Sequence, residues 1–316
     1  MNGLLSELGK KLAERWLSLL VLPGALFLAV LLTGQQLGHA HWCGIGSLAD
    51  RLDRRAGALA GSTANLLILL SAFLLASAAC GLAAQALGSL LERLWLAADW
   101  PGWPTPARRL VRWRTERRRD RYGRRLEEVG RARAVQHLDD GADPAEAAHR
   151  VATAVHRLRR VADDLPDRPT WMGDRLHGVE TRLRHDLGVE VAVVWPHLWL
   201  YAADTTRTEV TAAREAMARA AALTGWGLLY VLVAVVWWPG VLISLAVTAT
   251  GRLRFRAATD AYATLVEAAT RLHCRELAEH MGVGGRGPFT RRAGAALTTY
   301  LAEGRTPPRN LRRPVR

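Results

Sequence analysis

Residues 222–256 read ALTGWGLLYVLVAVVWWPGVLISLAVTATGRLRFR, and two folds are open to them. One tilted helix could run through the whole stretch, or two short helices could fold back at Trp238-Pro239-Gly240. The choice decides on which side of a membrane the last third of the chain lies. A single span would carry the arginine run at 252–256 to the far face. Everything from residue 251 onward, with thirteen arginines and five acids, would follow it. Basic residues flanking a span stay on the cytoplasmic side, so charge opposes that arrangement. Two arms meeting at Pro239 and Gly240 return the chain, and they leave Trp237 and Trp238 at the interface that aromatic side chains favour. Both arms are short, about sixteen residues before the turn and twelve after it, so they thin the bilayer or form a re-entrant hairpin packed on other helices. The expectation is a helical hairpin over about 222–251.

Working outward, the 316-residue chain carries a net charge of +14, and almost all of its basic residues are arginine, with Lys10 and Lys11 the only lysines. Very apolar runs alternate with very charged ones, the pattern of a membrane protein with a sizeable soluble part. Three cysteines, Cys43, Cys80 and Cys274, without a CxxC spacing, argue against a disulfide scaffold or a structural zinc site.

The first apolar run, Trp16–Thr33, has eighteen uncharged residues, just enough for a hydrocarbon core of roughly 30 Å. Pro23-Gly24 predicts a kink in it. Lys10, Lys11 and Arg15 resemble the head of a signal peptide, but the run is long and no cleavage site follows, which favours a retained helix. The second run, Leu66–Leu91, is richer in small residues. Ser77 and Gly81 stand four apart, as do Ala84 and Gly88, a spacing that lets helix backbones approach closely in lipid. No charged residue or histidine interrupts either run; ion-coupled transport ordinarily needs one. Between the runs, Ile45, Leu48, Leu52 and Leu59 predict a short amphipathic helix in an outer loop at 35–62. His39, His41 and Cys43 alternate there, a weak metal pattern read as polar loop, so no metal ligand is assigned.

Residues 108–133 hold twelve arginines against four acids, which sets that side as cytoplasmic, with both termini inside. Trp95, Trp100 and Trp103 suit an interfacial anchor. The basic segment after them predicts a juxtamembrane helix whose Arg108, Arg109, Arg112, Arg114, Arg117, Arg118, Arg121, Arg124 and Arg125 face anionic lipid headgroups. Few aromatics and no base-reading motif surround it, so nucleic acid ranks below lipid. Asp143, Pro144 and Glu146 have the spacing of a helix start. A further amphipathic helix spans Trp171 to Leu187 and closes on Gly188. Asp204 is placed to cap the long helix that enters the hairpin. In the returning helix, Phe255, Ala258, Tyr262, Leu265, Ala269 and Leu272 recur as a seam expected to pack on residues 205–220. A short helix near 289–303 and a basic tail complete the chain.

The block at 168–200, RPTWMGDRLHGVETRLRHDLGVEVAVVWPHLWL, resembles one in an uncharacterised group of bacterial multi-pass membrane proteins. That group shares a Pro-Thr-x-x-Gly helix start and a Val-Val-Trp-Pro-x-Leu element just before a membrane hairpin. The matching positions are Pro169, Thr170, Gly173, Gly188, Val193, Val194, Trp195, Pro196 and Leu198. The chain departs from the pattern at Asp174, Val189-Glu190 and His197. The resemblance implies the architecture, with Pro169, Thr170, Gly173, Trp195, Pro196, Pro239 and Gly240 as structural positions, and it supplies no catalytic residue.

The expected fold is all-α: an integral membrane protein with two spanning helices, a short third and fourth forming a hairpin, and a helical cytoplasmic domain. Four regions are expected. They are an N-terminal membrane region at 1–100, with helices at about 16–33 and 66–91, a basic cytoplasmic region at 101–204, a long helix with hairpin and return at 205–282, and a basic tail at 283–316. No nucleophile, metal, P-loop or dinucleotide motif is present, so neither an enzyme nor a cofactor is expected. The leading functional expectation is a non-enzymatic anchor, scaffold or sensor in the bacterial inner membrane. Its expected partners are the membrane, anionic headgroups, and a second copy or another protein. The alternative is an oligomeric pore or membrane-perturbing effector, suggested by the short hairpin and the small-residue helix.

Overall fold

A computed structural model describes residue 7 and residues 21–37, 63–97, 100–138, 143–283 and 288–304. The expected residues 16–20 of the first span, the outer loop from 38 to 62 with His39, His41 and Cys43, and the tail from 305 lie outside the described residues. Among the described residues the protein is all-α, with nine helices and no strand. These are α1 (Leu22–Leu37), α2 (Thr63–Leu96), α3 (Thr105–Leu138), α4 (Pro144–Arg159), α5 (Trp171–Leu187), α6 (Val191–Tyr201), α7 (Asp204–Val236), α8 (Pro239–His280) and α9 (Arg291–Glu303). They form two compact units, one of residues 1–92 and 217–255, the other of 93–216 and 256–316.

The first unit is an up-down-up-down bundle of α1, most of α2 and the facing arms of α7 and α8. A Cβ on Gly88 would lie 2.8 Å from the Ala222 Cα, and one on Gly225 would overlap the Ala84 carbonyl oxygen. These pairings run in opposite directions along the two chains, so α2 and α7 are antiparallel and their backbones touch. Helix α7 stops at Val236 and α8 starts at Pro239. The Ser244 hydroxyl donates to the Gly227 carbonyl at 2.8 Å, and a Cβ on Gly251 would fall 2.8 Å from the Thr224 nitrogen. The chain therefore folds back at Trp237-Trp238, as its charge pattern predicts. Gly240 lies close against Val233 and Ala234, where a Cβ would come within 2.7 Å of the Ala234 nitrogen. Phe27 of α1 meets Tyr230 edge-on at 5.4 Å, and Gly34 faces Trp237, which sets α1 parallel to α7.

This unit buries little apolar surface. Of the most apolar stretch of α2 only 11% is buried, and 39% of that of α7. Leu66, Leu75, Leu82 and Leu90 are more than 45% exposed, as are Leu232 and Leu245. Among the described residues, α2 and α7 are the two helices long and apolar enough to be candidate membrane spans. Pro23 and Gly24 lie near the first described residues of α1, and the kink expected there falls partly outside the described residues.

The second unit is held by a core of ordinary aqueous kind. Helices α3 and α4 pack as a helical hairpin. Asp143 caps α4 by accepting from the Ala145 N–H at 3.0 Å, and Pro144 occupies the first turn. Thr170 caps α5, and Gly188 ends it in the left-handed region at φ 70°, where glycine has no Cβ to clash. Val194 and Leu198 of α6 pack with Cys274, Leu277 and Ala278 of α8 and with Leu297 of α9. Leu183, Leu277 and Leu297 are essentially inaccessible, and each contributes about 1.5–3 kcal/mol by burial.

One expectation changes here. The seam of α8 is Phe255, Thr259, Ala263, Val266, Ala269, Thr270 and Cys274, while Leu272 is 69% exposed. Phe255 and Ala269 are buried as expected, but Ala258, Tyr262 and Leu265 are only half-buried, and threonine and cysteine hold buried positions beside them. The Thr270 hydroxyl satisfies itself on the Val266 carbonyl at 2.7 Å, which makes its burial cheap. The short helix expected near 289–303 is α9, and although it falls in the region assigned to the basic tail it is docked in the core, with Gly294 against the Leu187 carbonyl. The element at 191–201 is a helix despite Pro196. Pro196 sits far enough along this short helix to interrupt only one backbone bond.

An arginine-organised junction as candidate functional site

Helix α3 is the most basic element in the chain, and its register decides which arginines are available to a ligand. Val111, Thr115, Arg118 and Val129 are buried, with Tyr122 and Arg125 half-buried between them. Steps of four and three generate a continuous seam, yet two of its members are arginines. Arg109, Arg112, Arg114, Arg117, Arg121 and Arg124 are exposed, and Arg108 is half-buried.

Arg118 is the correction to the set expected to face lipid. Its side chain points inward, only 6% of the residue being exposed. One guanidinium nitrogen donates to the carbonyls of Arg168 (2.6 Å) and Thr170 (2.9 Å) and forms an ion pair with Asp174. The other donates to the Val161 carbonyl at 2.6 Å. A planar guanidinium with five donors can fill such a nest; a lysine ammonium cannot. Asp174 in turn accepts from the Asp167 and Arg168 N–H groups at 2.9 and 2.6 Å. Burial pushes the Asp174 carboxyl up and the Arg118 guanidinium down, and for each the partner's charge opposes the shift. With every acceptor occupied, we take the pair as ionised.

The block at 168–173 extends this knot. Thr170 accepts from the Gly173 N–H at 3.1 Å and donates to the Trp95 carbonyl. A Cβ on Gly173 would lie 2.6 Å from the Leu96 carbonyl oxygen. Arg168 reaches the Ala97 carbonyl at 3.1 Å, and Pro169 is buried. Pro169, Thr170 and Gly173 are thus brought together as a clasp on residues 95–97. Trp195 and Pro196 lie elsewhere: with Trp199, Val210, Arg214 and Tyr262 they line a cavity of about 630 Å³. Trp195 is half-buried, whereas Val194 and Leu198 beside it are buried. His197 is within 3.3 Å of the Val193 carbonyl of its own helix.

Helices α5 and α8 are joined by a ladder at a fixed offset. Arg175 pairs with Asp260 at 2.6 Å, Arg182 with Glu267 at 3.0 Å, and Asp186 with Arg271 at 2.7 Å. Each pair is separated by 85 residues, so the two helices run parallel in one register. Hydrogen bonds from Arg182 and Arg271 hold Glu267 below its ordinary value. A cavity of about 470 Å³ beside α5 collects Asp163, Asp164, Asp167 and His177 with Arg119, Arg175 and Arg182. Its acids are engaged by Arg175, Arg182 and Arg119, which makes it a structural charge network. Among the described residues no group of three or more His, Cys, Asp or Glu is gathered in metal-binding geometry.

Ser77, Gly81, Ala84 and Gly88 are the buried positions of α2, and the residues beside them are exposed or half-buried. They are filled from within the chain: Gly24 lies on Ser77, Ala222 on Gly88, and Gly225 on Ala84.

Sequence reasoning missed Asp174 and misassigned Arg118. The available signal was the register Val111-Thr115-Arg118-Tyr122, together with an acid in the first turn of a capped helix. The class these features define is an all-α protein with two candidate spanning helices and an arginine-knotted helical module. Compared with protein-family models, curated proteins and solved structures, the chain finds no match.

Proposed function

We propose that this protein is a non-enzymatic membrane-anchored scaffold or sensor of the bacterial inner membrane. The first unit is its lipid-embedded anchor and the second its cytoplasmic module. The observation that carries this reading is the exposed apolar surface of α2 and of the α7–α8 hairpin. A helix that apolar with 11% of its core stretch buried would be a severe aggregation liability in water and is satisfied in lipid. Within this unit Gly88 adjoins Ala222 and Gly251 adjoins Thr224, so the chain leaves it three times at one end. That supports placement of the charged segments at 93–216 and from 256 onward on one side, with both termini cytoplasmic. The exposed Arg109, Arg112, Arg114, Arg117, Arg121 and Arg124 of α3 would then lie against anionic headgroups. The resemblance at 168–200 to multi-pass membrane proteins points the same way. The pore reading loses its motive, because the small-residue stripe is occupied inside the chain rather than offered to neighbours.

The test is extraction and labelling. Cys274 is unsuitable as a native probe, since it is buried and its thiol is pushed up to about 12. We expect the protein to stay in the pellet after alkaline carbonate washing. An Arg117→Cys variant that also carries Cys43→Ser, which removes the native thiol expected outside, should react with an impermeant maleimide only after cells are permeabilised. Labelling in sealed cells, or release by carbonate, overturns the reading. Dye-loaded liposomes should stay tight with the reconstituted protein; leakage would revive the pore.

A further inference from the structure

Where α3 and α4 come together, a cavity of about 490 Å³ is lined by Arg121, Arg124 and Arg125 from one side and by Arg157 and Arg160 from the other, with Glu128 the one acid. Five guanidinium groups thus face one carboxylate. Glu128 is already committed: Arg125 donates to both its oxygens, at 2.9 and 2.7 Å. Among the described residues, no carboxylate stands within ion-pair distance of the Arg124, Arg157 or Arg160 side chains.

The bland explanation covers only part of this. Arg157 and Arg160 close the last turn of α4, where cations complement the helix dipole. Arg121 and Arg124 are in the middle of a 34-residue helix and have no such role. Solvated arginines on a helix spread apart to lower their mutual repulsion. Here arginines from two neighbouring helical segments line one cavity instead. What such a cavity lacks is negative charge with oxygen acceptors in several directions.

We infer that the Arg121-Arg124-Arg125-Arg157-Arg160 cavity is a binding site for a multiply charged phosphate group. The planar guanidinium fork matches phosphate oxygens two at a time, and forks from two helices can hold one group from opposite sides. Arg125, held by Glu128, is the preorganised member; Arg124 and Arg157 are the open ones. The group comes either from a lipid headgroup or from a free polyphosphate. The headgroup version rests on the membrane placement proposed above, and the free version does not.

The test uses the full chain in nonionic detergent, titrated calorimetrically with inorganic pyrophosphate. A single saturable site per chain is expected. Arg124→Gln/Arg157→Gln should weaken it by at least about tenfold. Arg133→Gln/Arg150→Gln removes the same charge from exposed positions outside the cavity and should change it by less than about twofold. If the first double variant melts early, Arg124→Lys and Arg157→Lys keep the charge but lose the fork, and each should still weaken binding. A second arm counts cardiolipin, whose headgroup carries two phosphates, retained per chain by native mass spectrometry. Retention that depends on Arg124 and Arg157 and is displaced by pyrophosphate assigns the site to headgroups. Pyrophosphate binding without such retention assigns it to a free anion. No saturable binding of either, or equal losses in both double variants, overturns the site. Preferential capture of a short DNA duplex over both probes overturns it in favour of nucleic acid. Because the pyrophosphate arm needs no bilayer, its failure is separable from failure of the carbonate test.

Discussion

Helices α2 and α3 are each 34 residues long and each buries a stripe at steps of three and four, yet the stripes are chemical opposites. In α2 the buried side chains are the small ones, Ser77, Gly81, Ala84 and Gly88, and the large leucines face outward. In α3 the stripe includes Arg118, while most of the remaining arginines face outward. Neither helix is amphipathic in the usual sense. In α2 the contrast between faces is one of size; in the lipid placement proposed above, leucine would be solvated outside as well as in a protein interior, and only close backbone contact would distinguish the inside. In α3 the contrast is one of satisfaction. Arg118 is inside because four acceptors wait there, and Arg117 is outside because none does.

The sharpest way to break this comparison is to remove one partner of the buried pair. Arg118→Ala or Asp174→Ala should destabilise the second unit by about 3–5 kcal/mol, since each leaves a buried charge uncompensated. Replacing both together, as Arg118→Met/Asp174→Leu, should recover most of that loss on thermal melts in detergent. Equal melting of wild type and single variants would mean that the knot is ornamental.

The corresponding change in α2 should cost less. Gly88→Leu forces a side chain into the Ala222 backbone, and overpacking of this kind costs about 1–3 kcal/mol. Leu82→Gly, on the exposed face, should not disturb bundle contacts beyond its helix propensity, about 1 kcal/mol. A reversed ranking in cross-linking between α2 and α7 would put the stripe on the wrong face.

Smaller again is the exposed face of α3. Removing Arg112 and Arg114 should lower affinity for phosphatidylglycerol vesicles by on the order of 1 kcal/mol per residue, with melting unchanged. Arg118→Gln should instead lower melting.

The smallest effect is pH-dependent and contrasts two acids of the second unit. Glu267 is held below its usual 4.5 by Arg182 and Arg271. Its contribution to stability is therefore present above about pH 4.5 and lost as pH falls through the lower folded value. Glu267→Gln should flatten that acid limb while costing less than about 1 kcal/mol at neutral pH. Asp174 has the opposite sign. Burial raises it above 3.8, so its titration favours folding below 3.8 and that contribution fades as pH rises through the folded value. An acid limb unchanged in Glu267→Gln would show that the ladder carries no linked protons.

Much of the architecture was legible because its causes are local. The break between α7 and α8 follows from Pro239 and from the charge that the returning chain must keep on one side. Asp143 and Pro144, Thr170 and Gly188 mark helix ends by hydrogen bonds made within a few residues, and so they can be read without the fold. The stripe of α2 was visible because glycine and serine stand out against leucine.

What only the tertiary structure decided are relations across long separations. That Arg118 turns inward depends on Asp174, 56 residues away, and on carbonyls that exist as a nest only once the loop at 161–170 is folded. That Thr270 and Cys274 are buried while Leu272 is exposed depends on the neighbours of α8. A hydroxyl that bonds its own helix costs almost nothing to bury, so polarity alone could not place it. The docking of α9 depends on Gly294 meeting the Leu187 carbonyl. The parallel register of α5 and α8 rests on three ion pairs at one offset, none of which is implied by either helix alone. Helix propensity and caps act within a turn or two and are written in the sequence. Desolvation and its compensation act between segments, and only the folded chain brings those segments into contact.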